Sequence, residues 1–167
     1  MKSDLQFQFL ADVPGHTLRI KREFAGPRDL IWDCYTKQEL LEKWFAPKPL
    51  KTKTASMEFR EGGHWHYAMY DDEGTEYWGW TDYVTIDPQE RYTTRDAFSD
   101  STGAPNTDLP VADWIITFEE AGDRTIVRTV IDYGSPEGLQ TVIDMGMEEG
   151  LGATYVTLDD LIETLKG

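Results

Sequence analysis

Two histidines one residue apart, His64 and His66, stand in the segment GGHWHYAMY at residues 62–70. Two imidazoles at this spacing leave a strand on the same face, which is how many metal sites begin. A zinc site needs three or four ligands, and the only other histidine, His16, is far away in the sequence. We therefore predict no metal site here and expect both histidines to point to solvent.

The same alternation turns Trp65, Tyr67 and Met69 to the opposite side of the strand. Large rings with polar tips suit either a core or a ligand pocket. We expect Trp78 and Trp80 to join this face from the next strand. A bulge at Gly79 or Asp82 would interrupt the alternation and change which side chains share a face. On a later strand, three large apolar residues at alternate positions also share one face: Trp114, Ile116 and Phe118.

Other chemistry finds little support. Cys34 lies on the apolar stripe of a short predicted helix, where a thiol is usually inert core. No Gly-rich phosphate loop occurs, and no spacing singles out a catalytic triad. Arg95, Asp96 or Asp113 could place a charge in a cavity, where a buried carboxyl can become a general acid or base. We expect these three side chains at the surface.

Alternating apolar and polar residues predict the elements that position these side chains. Between the second and third strands, two short helices are predicted, at 25–36 and 37–45. Pro27 suits the first position of one, and Thr36 and Glu39 would form a capping box for the other. The eight predicted strands are residues 5–11, 17–24, 50–59, 64–70, 75–87, 90–98, 111–120 and 124–132.

Residues 135–166 predict one long C-terminal helix with an apolar stripe and Ser135 as N-cap. Gly146, Gly150 and Gly152 lie inside it, and each costs about 1 kcal/mol relative to Ala. Close approach to the sheet, a bend, or open space beside a ligand would each explain them. An antiparallel sheet with helices segregated from it is an α+β fold, and we predict a single domain over residues 1–167.

The composition narrows the class of partner. With 31 acidic and 16 basic residues the net charge is −15, which repels phosphate backbones and anionic membranes. A single cysteine allows no intramolecular disulfide, and the first residues lack the apolar core of a signal peptide. No run approaches 18 apolar residues. We expect a cytoplasmic protein that binds neither nucleic acid nor membrane.

Several segments together resemble one family, and they span nearly the whole chain. They are FAGPRDLIWDCYTKQELLEKWF (24–45), FREGGHWHYAMYDDEGTEY (59–77), IDPQERY (86–92), FEEAGDRTIV (118–127) and MGMEEGL (145–151). The chain resembles bacterial proteins similar to the C-terminal domain of the activator of the heat-shock-protein-90 ATPase, in the START-like (SRPBCC) helix-grip superfamily.

That resemblance implies a curved antiparallel sheet wrapped around the C-terminal helix, with a cavity between them. It also implies binding of a small, largely hydrophobic molecule, such as an aromatic or polyketide-like compound. We expect no cofactor. Trp44 and Phe45 would flank the cavity mouth, either as a lid or as a helix end packed on the sheet. The residues expected to bind the ligand are Trp44, Phe45, Trp65, Tyr67, Met69, Trp78, Trp80, Trp114, Ile116, Phe118, Met147, Leu151 and Tyr155.

Two other functions stay open. One is an enzyme, a cyclase or hydrolase that uses the same cavity, and it requires an ionisable side chain well inside. The other is a chaperone-associated interaction module, which requires an exposed apolar patch of several hundred Å². The chaperone activators of the superfamily carry a separate N-terminal domain, and we expect no room for one in 167 residues. The chain would act as a monomer or a homodimer.

Overall fold

The computed structural model describes residues 5–167, which form eight strands and four helices. Two short helices follow the second strand, and two more close the chain. In chain order the elements are β1 (Phe7–Asp12), β2 (Thr17–Phe24), α1 (Arg28–Thr36), α2 (Gln38–Trp44), β3 (Lys51–Met57), β4 (His64–Tyr70), β5 (Glu76–Asp87), β6 (Arg91–Ser99), β7 (Ala112–Ala121), β8 (Arg124–Asp132), α3 (Pro136–Asp144) and α4 (Met147–Lys166).

All eight strands join one antiparallel sheet in the order β1-β2-β8-β7-β6-β5-β4-β3. From β3 to β8 the neighbours follow the chain, joined by turns and by the longer loop at residues 100–111 between β6 and β7. The exception is β2, which pairs with β8 and so brings the first hairpin beside the last one. With helices packed against this sheet, the chain has the predicted α+β helix-grip fold.

Strand alternation gives the sheet an inner face, which packs against the helices, and an outer face. Trp65 on β4 lies opposite Thr81 on β5, which lies opposite Asp96 on β6. Asp96 in turn lies opposite Ala112 on β7. These cross-strand partners share a face, so one row of inner side chains runs across four strands.

The turn between the first two helices differs from its predicted form. The predicted capping box is wrong: Lys37 is the N-cap of α2, and no side chain among residues 5–167 caps the start of that helix. The Thr36 hydroxyl instead donates a 2.8 Å hydrogen bond back to the carbonyl of Trp32, which closes the last turn of α1. Thr36 is therefore the last residue of α1 and not the cap of α2, because its hydroxyl bonds to a carbonyl one turn earlier in α1.

The C-terminal segment also differs, because it forms two helices instead of one. Ser135 caps α3 as predicted, accepting a hydrogen bond from the Gly138 amide at 3.0 Å. Gly146 adopts φ 85°, in the left-handed region, and a glycine enters that region without the steric clash of a Cβ. The chain therefore turns between α3 and α4, and α4 starts in a new direction.

The main core lies between the second half of α4 and the strands β2, β8 and β7. Phe24, Leu158 and Ile162 are almost fully buried there. A charged pair crosses this core: Arg22 Nη2 of β2 lies 2.5 Å from Asp159 Oδ2 of α4, and both side chains are buried. Removal of one partner of a buried ion pair typically destabilises a protein by about 3–5 kcal/mol. This contact therefore fixes the position of α4 relative to β2.

Candidate functional site

A cavity of about 430 Å³ lies beside this core, between the inner face of strands β4 to β7 and the helices. The second half of α4 fills one half of the inner face. Over the other half, the first turns of α4 and the end of α3 stand away from the sheet. Met147, Gly150 and Leu151 line the cavity from that side.

Most of the residues predicted to bind a ligand meet at this cavity, eleven of the thirteen contributing to its lining. Their elements are the end of α2, the strands β4, β5 and β7, and the first half of α4. They are Trp44, Phe45, Trp65, Tyr67, Met69, Trp78, Trp114, Ile116, Met147, Leu151 and Tyr155.

Two of the predicted residues lie elsewhere. Phe118 packs deeper in the core, with ring centroids 5.1 Å from Trp32 and 5.2 Å from Tyr35. Trp80 lies on the outer face, because β5 pairs with β4 without interruption and places Trp80 opposite His66. The register of β5 shifts only farther along, between Tyr83 and Thr85.

The outer face carries a row of histidines and indoles. The His64 ring stacks on Trp80 with ring centroids 4.5 Å apart, and the His66 ring lies 4.8 Å from that of Trp78. Trp78 also contributes to the cavity lining, although its ring packs against His66 on the outer face. Both histidines lie on the face of the sheet opposite the cavity. The predicted exposure to solvent is nevertheless wrong for His66. That ring is buried, and its Nε2 lies 3.0 Å from the Asp100 carbonyl.

The inner face of β4 forms an aromatic wall. Trp65 and Tyr67 stack with centroids 4.1 Å apart, and Phe45 packs edge-on against both, at 4.9 and 5.5 Å. Gly79 lies opposite Tyr67 on β5, where an added Cβ would sit 2.6 Å from the Tyr67 ring. The absence of a side chain at Gly79 is what lets the Tyr67 ring lie across the strand.

The end of α2 is fixed by one hydrogen bond. Trp44 is buried, and its indole Nε1 donates to the Cys34 carbonyl of α1 at 2.9 Å. Phe45, the next residue, is half-buried against the aromatic wall. The geometry favours the alternative in which this helix end packs onto the sheet, because Trp44 is anchored to α1 and both residues line the cavity from fixed positions.

One carboxyl group lies in this apolar cavity. Asp96 is on the inner face of β6, and its Oδ1 accepts a 2.7 Å hydrogen bond from the Thr94 hydroxyl. Thr81 on β5 also hydrogen-bonds to it. The expectation of surface placement is therefore wrong for Asp96, whereas Arg95 and Asp113 are exposed and pair with each other at 2.8 Å.

Burial changes the acidity of this group. Desolvation raises the pKa of Asp96 to about 7, and the charges of Asp82 and Asp113 push in the same direction. The hydroxyls of Thr94 and Thr81 oppose the change, because they donate to the ionised form. Near neutral pH the carboxyl is thus divided between its acid and its anion, which is the range in which a carboxyl can take up and release a proton.

Four tyrosines share the cavity with the carboxyl. Burial raises the pKa of Tyr67, Tyr83, Tyr92 and Tyr133, and the Asp96 charge adds to the effect in each case. All four line the cavity, and their phenols stay protonated at neutral pH. They can therefore donate hydrogen bonds to a bound molecule.

The cavity also holds an unused donor. Trp114 lines it from β7, and the indole Nε1 is buried without a hydrogen-bond partner among the described residues. A buried donor that lacks a partner is destabilising by about 1–3 kcal/mol. A ligand acceptor placed at this nitrogen would remove that penalty.

Other reactive groups contribute little. Cys34 is fully buried, and burial raises the pKa of its thiol to about 11, with Asp33 adding to the effect. Across residues 5–167 no cluster of three or more His, Cys, Asp or Glu could hold a metal ion. In the same part of the chain no helix is long and apolar enough to cross a membrane.

Sequence reasoning missed several lining residues that alternation alone could have found. On β6 the residues Tyr92, Thr94, Asp96 and Phe98 share one parity, and all four line the cavity. The two large rings at the ends of this series indicate the inner face, so the carboxyl between them must face inward as well.

Comparison with known proteins identifies the family. The model of the family described as "Activator of Hsp90 ATPase homolog 1-like protein" matches residues 25–163. The chain belongs to this family. No match was found among curated proteins. The helix-grip fold of these START-like proteins is known for binding hydrophobic ligands.

Solved structures show the same architecture. Protein Ms6760 from Mycobacterium smegmatis is 33% identical, with a TM-score of 0.86 over 95% of this chain and 96% of that one. A protein from Arthrobacter aurescens is 27% identical, with a TM-score of 0.88 over 94% and 91% of the two chains. CalU16 from Micromonospora echinospora, at 16% identity and a TM-score of 0.60 over 97% and 90%, shares the fold. The shared fold extends over at least 90% of each of these chains.

Proposed function

We propose that this member of the activator-homologue family binds a small, largely apolar molecule in the cavity between the sheet and the two C-terminal helices. The observation that carries the proposal is the cavity itself, about 430 Å³ and lined mostly by aromatic and aliphatic side chains. This volume falls within the range typical of ligand sites, which are apolar with a few placed polar groups. Asp96, Trp114 Nε1 and the tyrosine hydroxyls are such groups.

Packing energetics support an occupant. Protein interiors are close-packed, and an apolar void destabilises the fold roughly in proportion to its volume. The rings around this void are held against each other, Phe45 by Trp65 and Tyr67, and Trp44 by Cys34. They cannot collapse inward without breaking those contacts, so a ligand is what would recover the lost packing.

Native mass spectrometry of protein purified from its own host tests the proposal, since a bound molecule would add its mass. Titration of the intrinsic tryptophan fluorescence with aromatic and acyl compounds gives a second readout. We expect Trp114→Phe, at the cavity, to remove a large part of the ligand-induced change. Trp80→Phe, on the outer face, is the matched control and should leave that change intact.

The proposal fails if no compound changes the fluorescence and the purified protein carries no extra mass. It also fails if Trp80→Phe removes the response as fully as Trp114→Phe does, because the probe would then be binding outside the cavity. Both variants keep an aromatic ring at the substituted position, so a loss of folding is not expected to confuse the comparison.

A second candidate function, acid–base catalysis in the same cavity, is favoured by Asp96. A carboxyl with a pKa of about 7 is suited to proton transfer at neutral pH. Once a bound molecule is known, prolonged incubation with wild type and with Asp96→Asn separates the two functions. An enzyme would convert the molecule and lose conversion in the variant, whereas a binding protein would return it unchanged from both.

A further inference from the structure

The charged group in the cavity lining is an acid, Asp96. Among the described residues that line the cavity, Asp96 is the one carboxylate, and none is Lys, Arg or His. The neighbouring Arg95 points to the outer face and is paired with Asp113. Arg22, the buried cation of the main core, is engaged by Asp159. The anion in the cavity therefore has no cationic partner within it.

Such a group is expensive to keep in the ionised form. Taking a carboxylate out of water is strongly unfavourable unless a cation or several hydrogen bonds replace the solvent. Asp96 has the hydroxyls of Thr94 and Thr81, which are neutral donors. A half-buried carboxylate that is held by hydroxyls alone and opens onto an apolar cavity is suited to bind a positively charged group.

The rings beside Asp96 have the matching chemistry. Tyr67, Tyr83, Tyr92 and Tyr133 line the same cavity, and each is close enough to feel the Asp96 charge. The face of an aromatic ring carries negative electrostatic potential and attracts cations, by about 2 kcal/mol or more where water is excluded. A carboxylate among aromatic rings is the arrangement expected for an ammonium group.

We propose that the natural ligand is an organic amine, bound as the protonated ammonium with its nitrogen at the Asp96 carboxylate and its apolar body against Trp65, Trp114 and Leu151. The inference rests on the proposed binding function and narrows it to one class of ligand. It excludes fatty acids and other apolar carboxylates as preferred ligands, because their negative charge would be buried beside Asp96 without any cation.

The protonation of Asp96 adds a dependence on pH. An ammonium stabilises the anion, so amine affinity should rise as the pH increases toward and past the Asp96 pKa of about 7. The groups facing this carboxyl are the four tyrosines, which stay neutral, and the Thr81 and Thr94 hydroxyls. Asp82 of β5 and Asp113 of β7 act from the outer side. The lining residues of α2, α3 and α4 carry no charge.

Three probes with one skeleton test the inference: naphthylmethylamine, naphthylmethanol and naphthoate. Isothermal titration calorimetry at about pH 8, with wild type and Asp96→Asn, measures each affinity. We expect the amine to bind wild type roughly 10-fold or more tighter than the alcohol, and naphthoate to bind weakest. Asp96→Asn should abolish the preference for the amine while leaving the affinity for the alcohol within about 3-fold.

Asp113→Asn is the matched control. It removes the same charge from the adjacent strand, but its side chain is on the outer surface. We expect it to keep the amine preference, which separates the local effect of Asp96 from the overall attraction of an acidic protein for cations. Circular dichroism establishes that both variants are folded before titration.

The outcomes distinguish the two levels of the proposal. If the alcohol binds wild type as tightly as the amine, or naphthoate binds tighter, the amine inference is overturned and the binding function stands. If Asp113→Asn weakens amine binding as much as Asp96→Asn does, the preference is general and the inference is again overturned. If no probe binds wild type, the proposed binding function fails, and the amine inference fails with it.

Discussion

At the scale of single residues, the cavity is set apart from the core by its polar groups. The main core pairs the charges of Arg22 and Asp159 with each other. In the cavity, among the described residues, Asp96 has hydroxyl donors but no cationic partner, and Trp114 Nε1 has no acceptor. A core that only needed to be packed would gain stability from apolar groups at both positions. The two residues are therefore retained at a free-energy cost, which is the usual signature of a functional site.

The cost of Asp96 can be measured through its pH dependence. The folded-state pKa of about 7 lies above the unfolded value of 3.8, so the native protein binds more protons than the unfolded chain between these values. Stability from this group is fully present below the unfolded pKa and is lost as the pH rises through the folded pKa. Asp96→Asn should therefore be more stable than wild type at about pH 8, by on the order of 1–3 kcal/mol.

Urea denaturation of both proteins at about pH 4 and about pH 8 checks this expectation. The difference between variant and wild type should be small at the acid end and should open as the pH rises. Asp113→Asn, exposed on the outer face, should show no such trend. A difference between Asp96→Asn and wild type that stays constant over this range would contradict the raised pKa.

Residue-level prediction from sequence succeeded where alternation was unbroken. Trp65, Tyr67 and Met69 face the cavity because β4 is regular from end to end. It failed for Trp80 because the register between β4 and β5 places Trp80 opposite His66, on the outer face, and the irregularity of β5 lies beyond it, between Tyr83 and Thr85. Alternation divides the side chains of one strand between two faces. It does not say which side chains of the neighbouring strand lie on the same face of the sheet.

At the scale of elements, local sequence signals were sufficient for the strands and insufficient for the last helix. Each predicted strand has a counterpart in the sheet, since period-two alternation between turn signals is a local property. The break between α3 and α4 was missed because a glycine is compatible with a helix interior, a bend or a left-handed turn. Only the backbone of Gly146, at φ 85°, decides among them.

The glycines of this region now have separate roles. Gly146 forms the bend between the two helices. An added Cβ at Gly152 would lie 3.3 Å from the Phe7 ring, which is a close helix–sheet approach. At Gly150 the nearest neighbour is the Pro47 Cγ at 4.0 Å, so this position borders the open cavity. Each of the three explanations considered for these glycines applies to one of them.

Two alanine substitutions test this assignment with opposite signs. Gly146→Ala should destabilise the protein by about 1–2 kcal/mol, because an L residue is strained in the left-handed region. Gly150→Ala should stabilise it by about 0.5–1 kcal/mol, since the position is helical and has room for a methyl group. Urea denaturation measures both, and two changes of the same sign would show that the helix break is placed wrongly.

At the scale of the whole molecule, the two halves of the sheet do different work. The half formed by β2, β8 and β7 grips the second half of α4 through a dense core. The strands β4, β5 and β6, together with the first half of β7, face the first turns of the same helix across the cavity. One helix therefore runs from a cavity to a densely packed core, and this division could not be read from the uniform apolar stripe of the sequence.

Hydrogen–deuterium exchange along α4 measures this division, with the helix as its own internal control. In the free protein, amides of residues 150–153, the first ones hydrogen-bonded within α4, should exchange roughly 10-fold or more faster than those of residues 154–163, because local opening at the cavity disrupts fewer buried contacts. Saturation with naphthylmethylamine should slow exchange in residues 150–153 and narrow the gap, since ligand binding opposes opening of the site. Equal exchange along the helix in the free protein would mean that the cavity does not weaken its surroundings. The energetic case that the cavity is built for a ligand would then be lost.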